Sequence, residues 1–156
     1  MNINRFEFSV ANLEGLEKWF GQVYVAGFLF RNGGKEVAMV KKEKPQWQRG
    51  RLNGIGGKVE IGESPGEAMR REFQEETGAD ITDWRPFCVL EGKSREWAVV
   101  WYVSHQTAEI KTMEEEEIGW RFVELIATWN CIPNIRWLVP LALDKDSVIA
   151  RVIDPL

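Results

Sequence analysis

Cysteine and histidine are scarce in this chain, with two Cys (Cys88 and Cys131) and one His (His105) among 156 residues. That scarcity excludes a disulfide framework and a Cys/His zinc site, and it predicts a reduced, cytoplasmic protein. Long apolar runs are lacking too. VYVAGFLF at 23–30 and WLVPLAL at 137–143 are core-sized and far short of the roughly 20 residues of a membrane span, so no membrane partner is expected. The opening stretch MNINRFEFSVANLEG has no basic-then-apolar layout of a secretion signal. Basic excess is absent as well: the net charge is −4 and the pI about 5.2, which argues against a nucleic-acid polymer as partner. An enzyme that holds a polyphosphate through a divalent cation remains compatible with that charge. No internal repeat occurs, and the only low-complexity tract is Glu114–Glu117. The expectation is one domain over residues 1–156, within the ordinary size range.

What the chain does hold is ordinary globular material, 44% hydrophobic and 28% charged, so a packed core is expected rather than disorder. Residues 22–31, rich in β-branched and aromatic side chains, predict a strand; NGG at 32–34 predicts a turn, and 35–42 the returning strand. Five Gly and Pro residues within 43–58 predict a loop. The clearest helix spans about 65 to 77, with Ser64 and Glu67 as a capping box, Pro65 at its first position and Gly78 just past its end. Further strands are expected near 84–91, 95–104, 119–124 and 147–153. A second helix of about ten residues is expected from Pro133, with Pro140 tolerated if it falls near the first turn. Residues 1–20 read as an N-terminal extension in which 12–20 form a short helix. The extension would cap the sheet or exchange across a homodimer, which keeps a second copy of the chain among the candidate partners. Strands with two helices between them predict an α+β sandwich.

The first helix poses a charge problem. Glu72, Glu75 and Glu76 stand at i, i+3 and i+4, so their carboxylates share one face and repel. Glu75 and Glu76 also sit at the negative end of the helix dipole, at a cost of about 0.3–1 kcal/mol each. Glu63 adds a fourth acid just before the helix. A solvated acidic face is the plain alternative, but it does not explain why the acids collect at the unfavourable end. A divalent cation does, since several carboxylate oxygens on one face suit Mg²⁺ or Mn²⁺. The neighbouring Asn53-Gly54-Ile55-Gly56-Gly57-Lys58 offers close backbone approach and a lysine for a phosphate, although P-loop spacing is absent. His105, alone in a strand, reads as structural.

Joined, residues 57–79, GKVEIGESPGEAMRREFQEETGA, resemble the signature of the Nudix (MutT-type) hydrolases, G-x5-E-x7-R-E-U-x-E-E-x-G-U, where U is a bulky apolar residue. Gly57, Glu63, Arg71, Glu72, Phe73, Glu75, Glu76 and Gly78 fall in register, and Ala79 is a small choice for the final apolar position. The resemblance implies an α/β/α sandwich with a mixed β-sheet and two main helices, and Mg²⁺-dependent hydrolysis of a nucleoside diphosphate linked to another group, with Mn²⁺ as a substitute. It implies Glu72, Glu75 and Glu76 as metal ligands with the Gly56 carbonyl. Arg71 is implied as their orienting partner, and Glu63 as a supporting carboxylate. An acid from outside the signature would come from Glu115, Glu116 or Glu117, with Glu116 carried in the ligand set. A carboxylate within reach of the attacking water would act as general base, and Glu75, Glu76 and the 115–117 run all qualify.

Around the signature, RLNGIGGKVE and PNIRWLVPLAL resemble the branch of the family that hydrolyses oxidised purine nucleoside triphosphates. Asn53 and Asn134 fall at or near its base-reading positions, where an amide that donates and accepts suits an oxopurine edge. The bland readings are a turn residue for Asn53 and a helix-start residue for Asn134. Trp129 is the candidate stacking residue only if the alignment slips, since Cys131 falls at that position. Trp97, Trp101, Trp120 and Trp137 read as core or interface, and 44–49 as a basic loop able to cover phosphates. The expected activity is a nucleoside triphosphate pyrophosphohydrolase giving a monophosphate and pyrophosphate, with 8-oxo-dGTP as a candidate substrate. The alternatives are ADP-ribose or dinucleoside polyphosphate hydrolysis, disfavoured by Arg95, Glu96 and Trp97 where those branches carry a proline and a tyrosine. A silent nucleotide-binding module is a further alternative, disfavoured by the complete glutamate set.

Overall fold

The computed structural model describes Leu13, residues 15–145 and residues 149–154. Strand β1 (Gln22–Arg31) is its centre, and its apolar run has a physical reason: both of its faces are covered. Val23, Val25 and Leu29 enter one apolar cluster, and Ala26, Phe28 and Phe30 enter another on the opposite face. Helix α1 (Pro65–Thr77) packs Ala68, Met69 and Phe73 into the first cluster. Helix α2 (Ile135–Leu143) packs Ile135, Leu138, Val139 and Ala142 into the second. The result is the expected α/β/α sandwich around a mixed sheet.

The other strands are β2 (Glu36–Lys41), β3 (Leu52–Asn53), β4 (Ile55–Lys58), β5 (Arg85–Gly92), β6 (Trp97–Ser104), β7 (Glu117–Phe122) and β8 (Ala150–Asp154). The sheet order is β3-β2-β1-β6-β5-β8, with β4 added to β1 and β7 to β2. Strand β1 changes neighbour along its length: Tyr24–Gly27 pair with β4, whereas Phe30 and Arg31 pair with β2. Its other edge runs parallel to β6 from Gln22↔Trp97 to Leu29↔Ser104.

Several expectations need correction. Residues 43–58 are not loop throughout, because β3 and β4 lie within them. A side chain on Gly56 would lie 2.7 Å from the Cα of Ala26, so this glycine marks a tight strand-to-strand approach rather than flexibility. Strand β7 ends at Phe122, and 3-10 turns occupy Val123–Thr128. Among the described residues of the expected 12–20 helix, Leu16–Lys18 form a 3-10 turn. Residues 1–12 of the expected extension lie outside the described residues. Pro140 is the sixth residue of α2, past the first turn. It sits on the exposed side of the helix, open to solvent. Trp101 is buried and Trp97 and Trp120 pack against the two clusters, but Trp137 is 39% exposed on the outside of α2 and is not core. His105 stacks on Phe30 with centroids 5.4 Å apart.

Helix α1 begins and ends on the expected signals. Ser64 Oγ accepts from the Glu67 N–H at 3.1 Å, and Glu67 Oε2 accepts from the Ser64 N–H at 3.1 Å. Gly78 closes the helix in the left-handed region at φ 78°, donating to the Gln74 carbonyl. Ser64→Ala is expected to lower stability by about 1 kcal/mol, read from urea unfolding, with turnover at saturating substrate unchanged.

Candidate active site

The site is assembled where α1 lies against β4. Arg71 is its organiser. Its Nε and Nη2 donate to the two oxygens of Glu63 at 2.7 and 2.9 Å, Nη2 also reaches the Lys58 carbonyl at 3.0 Å, and Nη1 donates to Glu72 at 2.9 Å and Glu75 at 3.3 Å. Glu63 in turn accepts from the Glu60 N–H at 3.0 Å. One planar donor therefore ties the 58–63 segment to the acidic face of the helix. The Arg71 hydrogen bond holds the Glu63 carboxyl below its ordinary range, and Glu63 raises Arg71 in return.

Glu72 and Glu76 are under the opposite pressure. Burial raises both, and for Glu76 the neighbouring Glu72, Glu114 and Glu116 add to it against Lys42, pushing it up to about 8. Glu76 Oε2 is buried without a hydrogen-bond partner. Gly57 makes room for Glu72: a Cβ there would stand 2.6 Å from its Oε2.

The end of α1 also brings in the acidic run. The Lys111 N–H donates to the Thr77 carbonyl at 3.0 Å and the Met113 N–H to the Glu76 carbonyl at 3.2 Å, satisfying carbonyls that the helix leaves without partners. Of the run that follows, Glu114 acts electrostatically on both Glu72 and Glu76. Sequence reasoning missed it, since nothing in four consecutive glutamates marks the first. Lys42 was missed as well. Its Nζ reaches Glu116 Oε1 at 2.8 Å, while the N–H groups of Glu43 and Lys44 donate to Glu116 Oε2 at 2.6 and 3.3 Å. Burial works upward on Glu116, but these donors bring it below its ordinary range. Glu115 faces Lys44 at 3.7 Å in solvent, and Glu117 opens β7 with Arg121 at 3.9 Å.

The donor set suits a divalent cation: hard carboxylate oxygens, one of them buried and unpartnered, in a glycine-made space. Glu72, Glu75 and Glu76 lie on α1, Gly56 lies on β4 against that helix, and Glu116 acts electrostatically on Glu76. Among the described residues, however, no three acidic, His or Cys side chains form a ready-made cage. Glu72 and Glu75 are drawn instead onto Arg71, and Glu116 onto Lys42.

The residues expected to bind substrate lie on β3, on β4 and on the chain leading into α2. Lys58 is exposed at the end of β4. Asn53 is oriented at both ends of its amide, with Nδ2 donating to Gln48 Oε1 at 3.2 Å and Oδ1 accepting from the Gly54 N–H at 2.8 Å. Asn134 precedes α2 without capping it, and its Oδ1 is buried and unpartnered. Trp129 is 8% exposed and belongs to the apolar cluster that includes Leu52, Trp101 and Cys131. The loop before the glycines carries Trp47, 61% exposed, on a 3-10 turn over Gln46–Gln48.

Residues 21–139 match the family model described as NUDIX domain. Among solved structures, the chain is similar to a MutT structure described for Aliivibrio salmonicida and Vibrio cholerae, at 25% identity over 80% of this chain and 98% of that one, with a TM-score of 0.68. A MutT protein from Bacillus halodurans shares 19% identity over 85% and 89% of the two chains, with a TM-score of 0.68. The NUDIX domain of Shewanella oneidensis NrtR, complexed with ADP ribose, shares 16% identity over 79% and 86%, with a TM-score of 0.69. No curated protein sequence matches.

Proposed function

Since the chain belongs to the NUDIX domain family, as a hydrolase of phosphoric anhydride bonds, we propose that it cleaves nucleoside triphosphates to a monophosphate and pyrophosphate with Mg²⁺. Glu72, Glu75 and Glu76, with the Gly56 carbonyl and Glu116, would hold the ion. Once bound, the ion would neutralise charge on the polyphosphate and favour deprotonation of a water.

The observation that carries this reading is the state of the acidic face. Glu76 is driven by burial toward its neutral form with one oxygen unpartnered, so a cation is the partner that would keep it charged. Arg71 does not neutralise Glu76; it spends its donors on Glu63, Glu72 and Glu75 and fixes their positions. Glu75 is half exposed and only weakly held, at 3.3 Å from Arg71, which leaves it free to take a proton from an attacking water. Lys58 and Lys42 supply positive charge at the phosphate end. For a base, Asn53 and Asn134 would supply amides, and Trp129, packed with Leu52, an aromatic surface. An oxidised purine such as 8-oxo-dGTP fits that donor and acceptor set.

The test is hydrolysis of a nucleotide panel with Mg²⁺ or Mn²⁺, measuring pyrophosphate and orthophosphate separately. Triphosphates are expected to release pyrophosphate, 8-oxo-dGTP fastest, and chelation to abolish turnover. Turnover of ADP-ribose or dinucleoside polyphosphates alone would overturn the substrate assignment. Tight nucleotide binding without any hydrolysis would point instead to a silent module.

A further inference from the structure

Strand β2 ends at Lys41 and β7 begins at Glu117, and these two residues are the last pair of their ladder. Lys42 and Glu116 meet one step beyond it, with Lys42 Nζ donating to Glu116 Oε1 at 2.8 Å. From there the chain runs into a closed loop: the Lys42 N–H donates to the Arg51 carbonyl at 2.9 Å, and the Gly50 N–H to the Lys42 carbonyl at 2.7 Å. The next two N–H groups, of Glu43 and Lys44, converge on Glu116 Oε2 at 2.6 and 3.3 Å. One ammonium and two consecutive backbone N–H groups thus hold a single carboxylate.

An ammonium beside successive backbone N–H groups is a general oxyanion cradle, as suited to a phosphoryl oxygen as to a carboxylate. The neighbouring ion pair is of another kind. Lys44 meets Glu115 at 3.7 Å with both side chains 82% exposed, a contact worth little, whereas the Lys42 and Glu116 side chains are 21% and 19% exposed. The cradle also lies beside the acidic face of α1, since Lys42 and Glu116 both act electrostatically on Glu76, in opposite directions. Glu116 is therefore claimed twice, by these donors and, on the reading above, by the ion.

We propose that Lys42 Nζ and the N–H groups of Glu43 and Lys44 form an oxyanion site for the phosphate chain of the substrate, filled here by Glu116 as an internal stand-in that leaves it for the ion. This rests on the nucleotide-hydrolase reading above and adds an order of filling to it, ion first and polyphosphate second. Donors stripped of their carboxylate carry a cost that an incoming phosphate oxygen relieves. Ion and polyphosphate then bind with positive coupling, because the first removes the competitor of the second.

The test is calorimetric titration of the protein with inorganic tripolyphosphate in metal-free buffer. Glu116→Ala is expected to bind it about tenfold more tightly than wild type, and Glu115→Ala, which removes the same charge without freeing any of the three donors, to change affinity less than about threefold. The backbone amide 1H resonances of Glu43 and Lys44 supply a readout in wild-type protein that does not depend on a variant folding. Mg²⁺ alone should move both upfield, as N–H groups that lose a charged acceptor do. Equal affinities for wild type and Glu116→Ala, an equal gain for Glu115→Ala, or amides that stay in place while Mg²⁺ binds overturns the proposal. Absence of nucleotide turnover would sink the functional reading, whereas the tripolyphosphate comparison needs neither metal nor turnover and judges the exchange by itself.

Discussion

Glu76→Gln is expected to lower turnover by roughly 10³-fold or more, and at the same time to make the metal-free protein more stable at pH 8. Both effects come from one environment. The wild-type carboxyl is driven up to about 8 by burial, then by Glu72. A carboxyl raised from an ordinary 4.5 binds its proton more tightly folded than unfolded. The metal-free fold should therefore lose stability as pH rises from about 4.5 to 8, with the penalty fully developed above that window and absent below it. Glutamine is neutral throughout, so the variant's stability curve should be flatter over the same window. Adding Mg²⁺ to wild type should restore the stability lost at high pH and leave the variant nearly unmoved. Thermal melts of chelated and Mg²⁺-loaded protein from pH 5 to 9 check all three statements. A variant as active as wild type, or a wild-type curve with no fall across that window, would remove Glu76 from the metal site.

Gly56→Ala is expected to have the largest effect on folding of any small substitution in the site. The added methyl would meet backbone, the Ala26 Cα at 2.7 Å and the Val25 carbonyl carbon at 2.7 Å, and backbone in the middle of a sheet cannot swing aside. Overpacking of this kind costs about 3 kcal/mol or more. Gly57→Ala is a useful contrast, because the atoms nearest its methyl belong to the end of the Glu72 side chain, with Oε2 at 2.6 Å. That end can move. The Gly57 variant should fold nearly as well as wild type yet hold Mg²⁺ much more weakly, whereas the Gly56 variant should unfold at markedly lower urea. Paired urea and Mg²⁺ titrations of the two variants separate the outcomes. Equal urea midpoints for both would mean that β4 tolerates displacement from β1.

Helix α1 and its charges were legible because each signal was local. Ser64, Pro65, Glu67 and Gly78 act within a turn of themselves, and the i, i+3, i+4 spacing of the glutamates follows from helix geometry alone. The signature G-x5-E-x7-R-E matched because Arg71 has to reach both Glu63 and Glu72, which fixes their separation along the chain. What escaped notice depended on distant chain. Glycines at 54, 56 and 57 look alike in sequence, yet Gly54 makes way for Trp101, Gly56 for the backbone of β1 and Gly57 for Glu72. A loop was the natural reading of them, and β3 and β4 were lost with it. Glu114 and Lys42 come to the site because the 111–113 segment docks on the end of α1 and because Glu116 gathers Lys42, neither of which periodicity reports. Pro140 passed the first turn of α2 without harm because solvent lies on that side, a fact of burial rather than spacing.

Strands β3 and β4 are separated by Gly54 alone. Asn53, proposed above to read the base, and Gly57, which makes way for Glu72, therefore sit on one short span pinned at Val40 on one side and at Tyr24–Gly27 on the other. On the proposed function such a span would work as a fixed gauge: the reach between the sugar-bearing end of a ligand and its cleavable bond would be set by covalent geometry, not by a hinge. A molecule with a longer or shorter bridge between those two points would then be out of register at one end whenever the other is seated. Inserting one residue beside Gly54 would shift that calibration by a whole step and, because strand faces alternate, turn the remaining glycines away from the partners they were sized for.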